Sequence, residues 1–345
     1  MSLSSGIFAE SYVQDRGIIR TKMQWTSLLV FLVLLFTVPL YASNSLMTVL
    51  TVIGITVISV HGLNILTGYC GLISMGHSGF MAVGGYTVAL LSAKLGWPFW
   101  AALPVAGLAT GVVGILFGLP SLKIKGFYLI MATVAAYFII IWVVLQFRGI
   151  TNGTDGITIP AAKIGGLSLM PKSTYFYLVM IIASVITFLS KNLIRSRIGR
   201  AFIAIRDNDL AAEVMGVNLW VYKLQAFFIG CVFAGIAGGL SVQYISFANV
   251  DQFPFINSVW YLGMLIVGGM GTTSGVIFGV VALKLLDQFA IKVGPLLANV
   301  VNPQAAVGLS LVLSGLALIL FLIFEPRGIA HLWERIKNYF QSWPF

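Results

Sequence analysis

Charge is scarce in this sequence. Only 9% of its 345 residues are Asp, Glu, Lys or Arg, against roughly a quarter in a soluble domain. Too few polar side chains exist to cover a water-facing surface, so lipid has to be the solvent for most of the exterior. Cysteine is nearly absent. Cys70 and Cys231 lie in apolar stretches without metal-ligand spacing, which excludes a disulfide framework and reads as two packed core thiols. The three histidines, His61, His77 and His331, have no His or Cys partner at helical ligand spacing. No GxxxxGK[ST] phosphate loop occurs. Gly271-Thr272-Thr273-Ser274-Gly275 lacks the lysine that would neutralise phosphates and reads as a tight inter-helix turn. This chain is therefore expected to bind no cofactor, and any ATP and Mg that drive it belong to partner subunits. Without clustered acids, bases or metal ligands, a membrane enzyme or an assembly scaffold is disfavoured.

What the sequence has is apolar residues, 59% of the chain with a mean hydropathy of +0.99. Apolar runs fall at about 25–41, 45–66, 74–93, 97–119 and 127–147, then at 175–190, 224–244, 259–270, 276–291 and 305–324. A spanning helix takes about 20 such residues. The expected fold is thus an all-α polytopic membrane protein of about ten transmembrane helices. Two runs are irregular: 74–93 carries His77 and four glycines near its start, and 259–270 is short, glycine-rich and preceded by Asp251 and Pro254. These are the expected broken or re-entrant segments.

Lys and Arg set the orientation. With the N-terminus inside and every run crossing, 14 of the 20 basic residues fall inside, including the dense stretch from Lys191 to Arg206. That bias favours both termini in the cytoplasm, accounts for the net charge of +10 without nucleic acid, and divides the chain into a cytoplasmic segment 1–24, a single transmembrane domain 25–324 and a cytoplasmic tail 325–345. The first apolar run is too long for the core of a cleaved signal peptide. Within the domain, 148–173 is the external loop and 191–222 the cytoplasmic one.

The cytoplasmic loop holds the most informative polar segment. After the basic stretch come Arg206-Asp207-Asn208-Asp209-Leu210-Ala211-Ala212-Glu213 and, three residues on, Gly216. Asp207 or Asn208 is a good helix N-cap and Gly216 a left-handed C-cap. The pattern predicts about two turns of helix with Leu210, Ala211, Val214 and Met215 on one side. So short a helix is marginal alone in water and calls for something to pack against; a solvated basic loop would explain the arginines but not the capped, amphipathic turn.

Ala211-Ala212, with Gly216 after three further residues, resembles the EAA loop of ABC importer permeases, Leu210 standing in the glutamate's place. Other blocks resemble the LivM/LivH branched-chain amino-acid permease family. Gly68-Tyr-Cys-Gly-Leu-Ile-Ser-Met-Gly76-His77-Ser-Gly-Phe80 with Gly84-Gly85-Tyr86, Leu122-Lys-Ile-Lys-Gly126, Thr151-Asn-Gly-Thr-Asp-Gly156, Gly199-Arg-Ala with Ile205-Arg-Asp-Asn, Val267-Gly-Gly-Met-Gly-Thr and Phe324-Glu-Pro-Arg-Gly occur in family order, with the LivM branch favoured over LivH. Departures are the missing EAA glutamate and Asn152-Gly153-Thr154-Asp155 in place of a Gly-Gly-Pro-Asn type turn. The resemblance implies two inverted-repeat-like four-helix blocks, with the two irregular runs falling one in each, as discontinuous helices at a transport path do. It also implies a homologous permease subunit of LivH type, two ATPase subunits and an external binding protein as partners, with ATPase coupling through Arg206, Asp207, Asn208, Asp209, Leu210, Ala211, Ala212, Glu213 and Gly216.

Asn64, Ser74, His77 and Thr133, with Gly268 and Gly269, are the residues placed nearest a translocation path; helix–helix hydrogen bonding is the competing role for each polar one. Lys284 and Asp287, three apart on one helix face, read as a neutralising pair or as a functional site. The expected activity is import of branched-chain or other hydrophobic amino acids across a bacterial or archaeal inner membrane. Urea, short amides or simple sugars are alternative cargoes. An ion-coupled secondary transporter is the rival class, and Asp287 is the one acidic residue inside a predicted span.

Overall fold

A computed structural model describes residues 43–121, 126–164, 167–168, 172–298 and 327–341, with scattered positions in 26–41 and 312–325. The architecture is helical. Helix α1 (Asn44–Leu63) runs directly into a π-helical turn (Asn64–Tyr69), and non-helical residues 71–76 lead into α2 (His77–Ala93). Helices α3 (Phe99–Ser121) and α4 (Phe127–Gln146) follow, then the short α5 (Arg148–Thr151) and a loop carrying β1 (Ile157–Thr158), β2 (Lys163–Ile164) and β3 (Leu167–Ser168). Helix α6 (Lys172–Arg195) turns at Ser196 into α7 (Arg197–Asp207), which Asn208 separates from α8 (Asp209–Val214). The long α9 (Leu219–Ile245), β4 (Phe247–Ala248), α10 (Phe255–Gly268), α11 (Thr273–Ala298) and α12 (Ile329–Gln341) complete it.

Among the described residues five helices are long and apolar enough to cross a bilayer: Asn44–Tyr69, Phe99–Pro120, Phe127–Gln146, Lys172–Arg195 and Leu219–Ile245. A sixth candidate is a bent pair, Val250–Gly268 with Thr273–Phe289, whose halves meet at 118°. The described residues thus account for five or six of the expected ten. The runs at 25–41 and 305–324 lie largely outside the described residues. The run at 74–93 yields a helix of 17 residues, about 25 Å long and short of the ~30 Å hydrocarbon core, because residues 74–76 stay outside the helix. The runs at 259–270 and 276–291 form one broken pair.

The molecule is apolar outside and mixed inside. Large side chains such as Leu108, Val112 and Leu116 on α3, Phe138 and Trp142 on α4, and Phe188 on α6 are exposed, as lipid contact requires. The centre is α9, packed by α1, α2 and α3. It is buried at Ala226, Gly230, Ala234, Ala237, Gly238 and Leu240 among others. Small residues let backbones touch where no hydrophobic force separates lipid from protein. A Cβ added to Gly84 would strike the backbone of Gly235, and one on Gly238 would strike the carbonyl of Met81.

Two short β contacts tie loops together. β1 pairs antiparallel with β4, Ile157 opposite Ala248 and Thr158 opposite Phe247, which fastens the loop after α4 to the chain leaving α9. β2 and β3 form a hairpin. Gly84→Val is expected to force α2 off α9, and overpacking costs about 1–3 kcal/mol where some relaxation is possible. Detergent-solubilised protein should melt at a clearly lower temperature than the parent, and an unchanged melting temperature would contradict the backbone contact.

Candidate functional site

The loop 191–222 folds into two short helices, α7 and α8, between α6 and α9. Ser196 caps α7, its hydroxyl accepting from the Gly199 N–H at 3.4 Å. Helix α7 buries Gly199, Ala201, Phe202 and Ile205, and Phe202 meets Tyr222 of α9 edge to face with ring centroids 6.5 Å apart. Asn208, extended at φ −161°, then caps α8 by accepting from the Ala211 N–H at 3.0 Å. Gly216 at φ +87° ends the turn, its N–H donating to the Glu213 carbonyl at 2.9 Å.

Helix α8 has two unlike sides. Ala212 is only 4% exposed and belongs to this chain's own core. Leu210 is 65% exposed, Val214 87% and Met215 84%. The sequence pattern groups Leu210, Ala211, Val214 and Met215 on one side; the structure adds that Ala212 points inward. A small residue there lets α8 sit against its own chain, and the outward apolar face is Leu210, Val214 and Met215. Asp209 approaches the buried Lys223 of α9 at 3.8 Å, so α8 is tied electrostatically to a spanning helix.

Arg206 does more than add charge to the loop. Its Nε and Nη2 both donate to Asp207 Oδ1 at 3.0 Å. That fixes the guanidinium so that Nη1 donates to the Gly68 carbonyl, also at 3.0 Å. Gly68 lies in the π-helical turn at the end of α1, where the last carbonyls lack intrahelical donors.

The six path candidates separate into two groups. Asn64 joins Gly268 and Gly269 at the break between α10 and α11. Its amide donates to the Thr272 carbonyl at 3.1 Å and its oxygen accepts from the Gly271 N–H at 3.0 Å. Gly269 takes φ +113°, a value that favours glycine. A Cβ on Gly268 would strike the Gly275 carbonyl. Ser74, His77 and Thr133 gather at the start of α2. The Thr133 hydroxyl accepts from the Met75 N–H at 3.1 Å and donates to the Ile130 carbonyl at 2.8 Å. His77 Nε2 lies 2.9 Å from the Ser59 carbonyl, so that nitrogen carries the proton, and the ring meets Tyr261 edge to face. The buried Ser74 hydroxyl has no partner among the described residues.

Sequence reasoning missed Ser258, buried in α10, whose hydroxyl accepts from the Ser78 N–H at 2.9 Å and so links the two irregular regions. A serine inside an apolar run is the signal that could have found it. None of the six borders the cavity of about 350 Å³ lined by Thr48, Ala162, Lys172, Tyr175, Gln243 and Ser246. On α11, Lys284 and Asp287 are close enough for their charges to act on each other. Among the described residues no group of three His, Cys, Asp or Glu could hold a metal ion.

Asn64→Leu leaves the Gly271 N–H and the Thr272 carbonyl without their partner, at about 1–3 kcal/mol for each group. The expected outcome is a lower melting temperature in detergent that Asn64→Gln does not fully reproduce, since its longer side chain still carries an amide.

The family model described as "Branched-chain amino acid transport system / permease component" matches residues 45–322. The high-affinity branched-chain amino acid transport system permease protein LivM of Escherichia coli (strain K12) is 31% identical over 333 residues, covering 90% of this chain and 75% of its own. The probable branched-chain amino acid transport permease protein LivM of Methanocaldococcus jannaschii is 27% identical over 240 residues, covering 66% and 67%. The autoinducer 2 import system permease protein LsrC of Salmonella typhi is 25% identical over 201 residues, covering 54% and 55%. No solved structure matches the chain. A match across most of the chain, on a body whose exposed helices are apolar and whose interior is held by glycines and polar side chains, makes this a multi-pass membrane protein that belongs to the family of branched-chain amino-acid transport permease components.

Proposed function

We propose that this chain is one of two permease subunits in an ATP-driven importer of branched-chain or other hydrophobic amino acids. The observation that carries the reading is α8: a capped helix whose Leu210, Val214 and Met215 face away from the chain. A six-residue helix with that exposed face is a docking element, and an ATPase subunit is the partner it fits. Asp207 and Glu213 on the exposed rim meet basic groups there. Arg206, Asn208, Asp209, Ala212 and Gly216 hold the element in shape rather than touch the partner, while Ala211 joins the exposed side.

In this reading the loop 191–222 is cytoplasmic, as are segments 1–24 and 325–345, while 148–173 is external and receives the loaded binding protein. The domain 25–324 spans the inner membrane ten times in two inverted four-helix blocks. A LivH-type permease completes the pore, and two ATPase subunits carry ATP and Mg. Asn64, Ser74, His77, Thr133, Gly268 and Gly269 belong to the moving parts of the path. Their hydrogen bonds hold irregular backbone in place, which a membrane tolerates only where protein or water satisfies it. The 25% likeness to a permease named for autoinducer 2 import favours a second reading in which the same machine carries a cargo other than an amino acid.

Proteoliposomes holding the complex, with ATP inside and the binding protein outside, are expected to accumulate labelled leucine in the presence of a protonophore. Accumulation that follows an ion gradient and ignores ATP would replace the importer with a secondary transporter and put Asp287 and Lys284 at its centre. The double variant Leu210→Glu, Val214→Glu is expected to keep the permease folded and to abolish co-purification of the ATPase subunits. Retained co-purification would remove α8 from the interface.

A further inference from the structure

The π-helical turn Asn64–Tyr69 is gripped from two sides. From the loop, Arg206 Nη1 donates to the Gly68 carbonyl at 3.0 Å, and the Arg206 stem lies so close to Gly71, at φ +75°, that an added Cβ there would sit 3.1 Å from its Cγ. From the broken pair, the Gly271 N–H and the Thr272 carbonyl bond to Asn64. A Cβ on Gly68 would lie 2.6 Å from the Gly271 nitrogen, and one on Gly271 would lie 2.9 Å from Arg206 Nη1. Three elements thus meet around one guanidinium: the junction of α7 and α8, the end of the first described span, and the break between α10 and α11.

A π turn differs from an α turn by one residue of winding. Its i→i+5 pattern appears in the bond from the Cys70 N–H to the Ile65 carbonyl at 3.2 Å. Returning such a turn to α geometry takes up one residue, which moves everything after it by about 1.5 Å along the axis and about 100° around it. Single π turns inside helices recur at functional sites. Arg206 holds the turn by a charge-assisted bond to the Gly68 carbonyl, at the negative end of a 26-residue helix where a cation is favoured. Asp207 keeps the guanidinium aimed.

We infer that Arg206 is a positioning residue linking α8 to the π-helical turn, so that displacement of the α7–α8 junction by a docked partner changes the winding of Asn64–Tyr69 and moves the 268–272 break with it. This rests on the reading that α8 docks an ATPase. Arg206 adds a directional, charge-assisted link to the apolar packing of α7 and α9 against the same turn.

The chain carries its own reporter. Cys70 directly follows the turn and is buried, so a change in winding alters its access to a thiol reagent. The experiment uses the complete complex in nanodiscs with Cys231→Ala, leaving Cys70 as the permease's thiol, and follows N-ethylmaleimide labelling of Cys70 by mass spectrometry, nucleotide-free and after trapping with ATP, Mg and vanadate. The parent should label several-fold differently in the two states. Arg206→Ala and Arg206→Gln should lose that difference, and Arg206→Lys, which restores a point charge without the fork, should regain part of it. A parent whose Cys70 labels identically in both states, or an Arg206→Ala complex that keeps the difference, overturns the inference. Failure of the underlying reading looks different: ATPase subunits would not co-purify with the parent, or would remain on Leu210→Glu, Val214→Glu.

Discussion

Inside a bilayer no water is available to a peptide group that loses its helical partner, and that requirement organises this protein. At four irregular points of the described body, a side chain from another element reaches the stranded backbone. Thr133 serves the Met75 N–H before α2, Ser258 serves the Ser78 N–H, Asn64 serves both groups at the α10–α11 break, and Arg206 serves the Gly68 carbonyl. Leaving one such group unmet costs several kcal/mol in lipid, far more than a surface hydrogen bond returns in water. The irregular backbone and the polar side chains are therefore one structure, and neither persists without the other.

The same requirement explains how function can be built into so apolar a chain. Helical spans satisfy themselves and are stiff. Broken segments depend on partners from distant parts of the sequence, 208 residues apart in the case of Asn64 and Thr272. Motion that exchanges those partners is the route by which an event at the loop can be felt at the break. The exposed apolar face of α8, small as it is, stands at the end of such a chain of contacts: Asp209 to Lys223 of α9, and Arg206 to the π turn.

Much of this was legible in the sequence. The apolar runs located the helices, the capping pattern Asn208 to Gly216 located α8, and the glycines flagged both irregular regions. What composition could not supply was length in three dimensions. The run 74–93 is as apolar as its neighbours, but its first residues, Ser74 to Gly76, are held off the helix by Thr133, so it ends as 17 residues rather than a full span. Orientation within α8 was also out of reach, since Ala211 and Ala212 look alike until α9 is placed beside one of them. The π turn left no periodic trace, because a single extra residue in a uniformly apolar run shifts no polar position that would reveal it.

Helix α9 is enclosed on nearly every side by backbones that approach through its glycines and alanines, whereas α4 turns a row of bulky side chains outward. These two surfaces face opposite evolutionary demands. On α4 any apolar residue of any shape serves the bilayer, so that face can drift without penalty. On α9 the difference between a hydrogen and a methyl group is decisive, and drift there must be answered by a compensating change on α1, α2 or α3. A lineage of such proteins can thus lose most of its identity on the outside while its inner helix stays nearly fixed in size.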